Sequence, residues 1–256
     1  MLLQGKNAII TGARSGIGLA ALHLFAQNGC NCWAVVHRDD EEFLTNISKW
    51  QVEYGVWIKP IYIDLSDSNS IKDGIKLIIK EKLSIDVLVN AAGVVSPNRL
   101  FSMTKMEDMR KVMDVNFFSV MEVSQLVCRV MMRQGKGNII NIASISAWGE
   151  DTSQIEYAAS KAAIVIATKK MARELGVSGI RVNAVAPGLI DTKMLSDMSD
   201  EALEIFKKSS GLHRLGTAME VAEVCLFLAS DNAQFLTGET IKIDGGGNSM
   251  RLLVSN

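Results

Sequence analysis

The segment that most constrains this chain is Thr11-Gly12-Ala13-Arg14-Ser15-Gly16-Ile17-Gly18. It stands between a short apolar run, Asn7 to Ile10, and a stretch from Gly16 to Asn28. In that stretch Ile17, Ala20, Ala21, Leu24 and Phe25 recur at helical spacing. A strand that turns through glycines into a helix lets the backbone approach a pyrophosphate. The helix N-terminus then offers open N–H groups and a favourable dipole. Such a motif carries weight only in a strand–turn–helix setting, which is the setting here.

The same alternation continues along the chain. Apolar runs at Cys32–Val36, Val56–Ile63, Asp86–Val89, Asn138–Ile142, Arg181–Val185 and Thr240–Ile243 read as strands. Between them, Glu41–Glu53, Asp67–Lys82, Lys105–Arg133, Ile155–Leu175 and Glu220–Ala229 read as helices, the third broken near Asn116. Strands that are apolar throughout are covered by helices on both faces. The expected fold is therefore α/β: a single-domain, Rossmann-type, doubly wound parallel sheet of about seven strands over residues 1–256. Residues 188–215 break the rhythm and are expected to form a substrate-covering insertion.

Composition narrows the function classes. With 27 basic and 28 acidic residues the formal net charge is −1, which gives no basis for a nucleic-acid or membrane-surface partner. No signal peptide precedes the first strand and no apolar run reaches membrane-span length, so a cytoplasmic location is expected. Cys30, Cys32, Cys128 and Cys225 read as reduced apolar fillers, and no residue spacing suggests a metal site.

Tyr157 and Lys161 are four residues apart and share one face of a helix. An ammonium beside a phenol favours phenolate, so this pairing is expected to lower the pKa of Tyr157 and bring acid–base work within reach.

The spacing Gly12-x-x-x-Gly16-x-Gly18 resembles that of the short-chain dehydrogenase/reductase family. The likeness extends in order through Asn90-Ala91-Ala92-Gly93, Asn116, Ser144, Tyr157-Ala-Ala-Ser-Lys161 and Pro187-Gly188. It implies an oxidoreductase moving a hydride between a nicotinamide cofactor and a carbonyl or hydroxyl carbon. In this pattern Ser144 hydrogen-bonds the substrate oxygen, Tyr157 is the acid/base and Lys161 also holds the nicotinamide ribose. Asn116 holds a helix kink and a water. Ser146 is a rival for the serine role, but its distance from Tyr157 does not fit the family spacing. The resemblance also assigns cofactor contacts to Gly12, Ser15, Gly16, Ile17, Gly18, Asn90, Ala91, Ala92, Gly93, Pro187 and Gly188. Asp64 and Leu65 are placed at the adenine, Ile190 beside the nicotinamide ring and Thr192 on its carboxamide.

The dinucleotide's identity turns on the end of the second strand. An acidic residue there would take the ribose 2′-OH, whereas this chain has His37-Arg38, with Arg14 nearby in the turn. Two arginines suit a 2′-phosphate, which favours NADP(H). Asp39 and Asp40 follow at once, and a carboxylate turned back to the ribose would leave NAD(H) possible.

The whole pattern is most similar to 3-oxoacyl-[acyl-carrier-protein] reductases, through Gly137-Asn-Ile-Ile-Asn-Ile-Ala-Ser144 and Gly179-Ile-Arg-Val-Asn-Ala-Val-Ala-Pro-Gly188. It departs at Ser178, where those enzymes tend to carry an arginine for the carrier; Arg133, Lys136 and Arg173 are the candidate substitutes. The alternatives are a sugar or surface-glycan ketone as substrate, or a cofactor-binding protein without turnover. Leu189, Met194, Leu195 and Met198 are expected to face the substrate, which Arg214 would meet if acidic. Met103, Met106, Met109 and Met113 are expected to be core or subunit interface. The resemblance implies a homotetramer or homodimer, with the tail from Asn248 reaching a neighbour.

Overall fold

The computed structural model describes residues 1–97, 99–149, 154–192 and 200–247. The chain runs through β1 (Asn7–Thr11), α1 (Gly16–Gln27), β2 (Asn31–Val36), α2 (Glu41–Tyr54), β3 (Ile58–Tyr62), α3 (Ser68–Lys80) and β4 (Val87–Asn90). It continues with α4 (Met106–Met113), a π-helical turn (Asp114–Phe118), α5 (Ser119–Gln134), β5 (Gly137–Ile142), α6 (Ile155–Leu175) and β6 (Ile180–Pro187). The short strands β7 (Ile190–Asp191) and β8 (Gly216–Thr217) flank α7 (Asp200–Ser209), and α8 (Ala218–Ala229) leads to β9 (Thr240–Ile243).

Seven strands form one parallel sheet in the order β3-β2-β1-β4-β5-β6-β9. The strand order reverses between β1 and β4, which opens a crevice beyond their C-terminal ends. Successive residues of a strand face opposite sides, and here both sides are apolar. Ala8, Ile10, Cys32, Ala34 and Val89 pack under α1, α2 and α8. Ile9, Trp33, Leu88, Ile139 and Val182 pack under α3, α5 and α6.

Local signals set the element ends. Asp40 caps α2 by accepting from the Phe43 N–H at 2.8 Å, and Gly55 closes it in the left-handed conformation. Thr217 and Glu220 form a reciprocal capping box on α8.

Three expectations need correction. The strands are not apolar throughout: Asn90, Asn138, Asn141 and Asn183 are buried within them, and the edge strands β3 and β9 are partly exposed. Asn90 Nδ2 donates to Asn141 Oδ1 at 2.9 Å and Ser124 Oγ at 3.0 Å, and Asn141 Nδ2 donates to Thr168 Oγ1 at 3.0 Å. This chain of bonds pins α5 and α6 to the sheet, and burial makes each bond costly to leave unmade. Second, the helical run Met106–Gln134, of 29 residues, is long and apolar enough to cross a bilayer by length and composition. Its Val112, Asn116, Val120, Val123, Val127 and Met131 are buried in the fold. Third, within the methionine stripe Met103 and Met106 are exposed and Met109 and Met113 half-buried, which leaves of the two expected roles the subunit interface for the first pair.

Candidate active site

The crevice is built from the ends of β1, β4, β5 and β6. At the first, Gly12 adopts φ +68°, and a Cβ there would stand 2.8 Å from Ala92 Cα. Only glycine lets the turn after β1 lie against the Asn90–Gly93 segment. Thr11 fastens the two from its side chain, Oγ1 accepting from the Ala91 N–H at 3.1 Å and the Ala92 N–H at 3.2 Å. Ser15 N-caps α1 without a side-chain bond to the helix. Its first-turn N–H groups therefore stay available to an anion. The Thr192 methyl stands 3.6 Å from the Cβ position of Gly16, so the segment after β6 arches over the turn. This open cradle, narrowed by glycines, fits a dinucleotide pyrophosphate.

At the end of β2, Arg38 and His37 are exposed, and Arg38 makes no ion pair among the described residues. Arg14 lies 2.9 Å from Asp40 Oδ2. Asp39 accepts a bond from the Tyr62 hydroxyl. Both carboxylates that follow β2 are thus already engaged. After β3, the Ser66 hydroxyl and N–H hold the Asp64 carboxyl below its ordinary pKa, and the His37 charge adds to this.

The π-helical turn displaces Asn116 into the fold. Its Oδ1 accepts from the Val94 N–H at 2.8 Å, and its Nδ2 donates to Val94 O at 2.9 Å and Ser160 Oγ at 3.2 Å. The break expected near Asn116 is therefore one widened turn in a continuous helix, anchored to the loop after β4. A Cβ on Gly93 would stand 3.4 Å from Asn116 Oδ1 and 3.5 Å from Lys161 Nζ, which brings these three residues to one point.

Ser144 lies two residues beyond β5 and caps a 3₁₀ turn, Ile145–Trp148. Its Oγ accepts from the Ser146 N–H at 3.2 Å and lies 3.0 Å from Ser146 Oγ. Ser146 thus orients Ser144, a role its residue number alone did not suggest. Tyr157 and Lys161 stand one turn apart on α6. Lys161 Nζ donates to Ile142 O at 2.9 Å and sits 5.6 Å from the Tyr157 ring centroid. Burial lowers the Lys161 pKa from 10.5 to about 8. Tyr157 departs from expectation: burial raises its pKa, and the Ser144 hydroxyl beside it only partly opposes the rise. Lys161 lies over the ring and bonds a carbonyl instead of the phenol oxygen, so desolvation outweighs the ammonium's pull.

Beyond β6, Pro187 is buried, and the Gly188 N–H donates to Ile243 O at 2.8 Å. Ile190 packs into the core under α1 and α8. Leu189 is half-buried, while Met194, Leu195, Met198 and the tail from Asn248 lie outside the described residues. Arg214 pairs with Glu220, 2.5 Å away.

Residues 12–248 match the family model described as enoyl-(acyl carrier protein) reductase. The chain is 40% identical to the 3-oxoacyl-[acyl-carrier-protein] reductase FabG of Thermotoga maritima, over 96% of this chain and 99% of that one. It belongs to the short-chain dehydrogenase/reductase family. A short-chain type dehydrogenase/reductase from Mycobacterium marinum superposes with a TM-score of 0.88 at 32% identity, over 95% of this chain and 96% of that one. A 7α-hydroxysteroid dehydrogenase, complexed with NADH and 7-oxo glycochenodeoxycholic acid, gives a TM-score of 0.90 at 31% identity, over 97% and 96% of the two chains. As a short-chain dehydrogenase/reductase the chain is an oxidoreductase acting on CH–OH and carbonyl groups, and the family works with nicotinamide cofactors.

Proposed function

We propose that this chain reduces a 3-oxoacyl thioester to the 3-hydroxyacyl thioester with NADPH. The observation that carries this reading is the gathering of Ser144, Tyr157 and Lys161 between the end of β5 and the start of α6, with Lys161 beside Gly93 of the loop after β4. The nicotinamide, when bound, supplies the hydride that reaches the ketone carbon. The Ser144 hydroxyl donates a hydrogen bond to the ketone oxygen and holds it beside Tyr157. The phenol, which burial keeps protonated at neutral pH, gives its proton to that oxygen as charge develops there. Lys161, an ammonium below about pH 8, steadies the phenolate left behind and reaches the nicotinamide ribose. Asn116 fixes the loop after β4 and keeps Gly93 close to Lys161.

The preference for NADPH is supported by the exposed Arg38 and by the prior engagement of Asp39 and Asp40. Arg38 is the primary cation for a 2′-phosphate; Arg14 joins it by exchanging Asp40 for the phosphate. The thioester is supported by the 40% identity to a 3-oxoacyl reductase. Ser178 favours a second reading, in which the ketone is not carrier-bound but belongs to a sugar or glycan precursor. Residues 188–215 cover the substrate in either case. Exposed Leu100, Phe101, Met103, Met106 and Phe118 suit burial against a second copy, in a cytoplasmic homo-oligomer.

The test is NADPH oxidation with acetoacetyl thioesters and a panel of keto-sugars, with NADH in parallel. Turnover of the thioester with NADPH is expected. Turnover of sugars alone would replace the substrate, and a preference for NADH would discard the Arg14 and Arg38 argument.

A further inference from the structure

Tyr62 closes β3, and its hydroxyl donates to the Asp39 carboxylate. The register of the sheet places this bond at the cofactor crevice. Tyr62 pairs with Val36, the last residue of β2, and Val35 pairs with Thr11 at the end of β1. The Ile63 N–H donates to Val36 O at 2.9 Å, and the Ala13 N–H of the glycine turn donates to Val35 O at 3.2 Å. The end of β2 is thus flanked by the glycine turn on one side and by the end of β3 on the other. Asp39 follows that end by three residues.

The two carboxylates after β2 are drawn to opposite sides. The strand order is β3-β2-β1. Arg14, from the turn after β1, lies 2.9 Å from Asp40 Oδ2, while Asp40 Oδ1 caps α2. Tyr62 draws Asp39 the other way, toward the outer edge of the sheet. Arg38 precedes both and has no ion pair among the described residues. The bond to Asp39, and after it burial and the carboxylate's charge, raise the Tyr62 pKa above its ordinary value, so the phenol remains a donor at neutral pH. An acidic side chain after the second strand is the group that takes a ribose 2′-OH. A carboxylate already shared with a phenol must give up that bond to do so.

We propose that Tyr62 is a positioning residue that sets the choice of dinucleotide: its hydroxyl withholds Asp39 from the ribose 2′-OH and leaves Arg38 to meet a 2′-phosphate. The inference deepens the NADPH reading and rests on it. Tyr62 acts through Asp39 and moves no proton in the reaction. Without the hydroxyl, the Asp39 carboxylate turns back toward the ribose, where it accepts the 2′-OH of NADH and repels the 2′-phosphate of NADPH.

The experiment measures Kd for NADPH and for NADH by fluorescence titration, with no ketone present. The chains are wild type, Tyr62→Phe, Asp39→Asn and the double variant. Tyr62→Phe is expected to raise the ratio of Kd for NADPH to Kd for NADH about threefold to tenfold, as for one hydrogen bond redirected. In the Asp39→Asn background the same substitution should move the ratio by less than about twofold. An unchanged ratio in Tyr62→Phe overturns the inference. A shift that persists undiminished without the Asp39 charge overturns it too, because Tyr62 would then act by its own contact. Tighter binding of NADH than of NADPH by the wild-type chain would discard the NADPH reading instead. The change in ratio on Tyr62→Phe, with and without Asp39, still decides whether Tyr62 withholds the carboxylate.

Discussion

Lys161 pays a stability cost for its place in the site, and that cost can be measured. The side chain is buried, and desolvation brings its pKa from 10.5 to about 8. Each pKa unit is about 1.4 kcal/mol of difference between the protonation states, so holding the ammonium at neutral pH costs roughly 3 kcal/mol. The bond to Ile142 O returns about 1 kcal/mol. Lys161→Met keeps the apolar stem and removes the charge. It is expected to be about 2 kcal/mol more stable than the wild-type chain at pH 7, a rise in Tm of roughly 4–8 °C for a chain of this size. The pH dependence follows from the direction of the shift. Between about pH 8 and 10.5 the unfolded lysine binds a proton that the folded one has released, so wild-type stability rises with pH across that window. The variant's advantage should therefore hold below pH 8, vanish before pH 10.5 and then reverse slightly, because the neutral lysine keeps its bond to Ile142 O. Thermal melts of both chains at equal concentration from pH 6 to 10.5 supply the comparison. A variant that is less stable at pH 7, with a deficit independent of pH, refutes the reasoning.

Three further outcomes are expected. Reductive kcat/KM should decline above about pH 8 as Lys161 loses its proton, and a profile flat to pH 10 would remove the ammonium from the reaction. Gly12→Ala, which forces a Cβ to 2.8 Å from Ala92 Cα at φ +68°, should weaken NADPH binding by at least about tenfold in a fluorescence titration. Asn141→Ala leaves Asn90 and Thr168 without their shared partner and should cost about 2–4 kcal/mol in denaturant unfolding.

What the sequence made legible was local. The β1–turn–α1 motif, the helical period of α3 and the four-residue interval between Tyr157 and Lys161 depend on neighbours along the chain, and the structure has them as expected. What escaped the sequence depends on distant partners. A break near Asn116 is expected from the sequence, but its form as a π-helical turn is set by the bonds of Asn116 to Val94, 22 residues away, which no local propensity of Asp114–Phe118 announces. The two-residue pairing of β7 with β8 has no periodicity to read, and α7 lies in a segment taken as irregular. The buried asparagines of β4 and β5 interrupt an apolar pattern and make sense only once Ser124 and Thr168 are seen opposite them. The same reason explains Tyr157. Its spacing to Lys161 was visible, but the direction of its pKa shift is set by burial, which spacing does not encode.

The most direct test of the central claim is Tyr157→Phe, which removes one oxygen and leaves the ring over which Lys161 sits. Single-turnover reduction of an acetoacetyl thioester by bound NADPH should slow by about a thousandfold or more, while the Kd for NADPH stays within about twofold of wild type. Reduction within tenfold of the wild-type rate would show that another group supplies the proton, and would contradict the account.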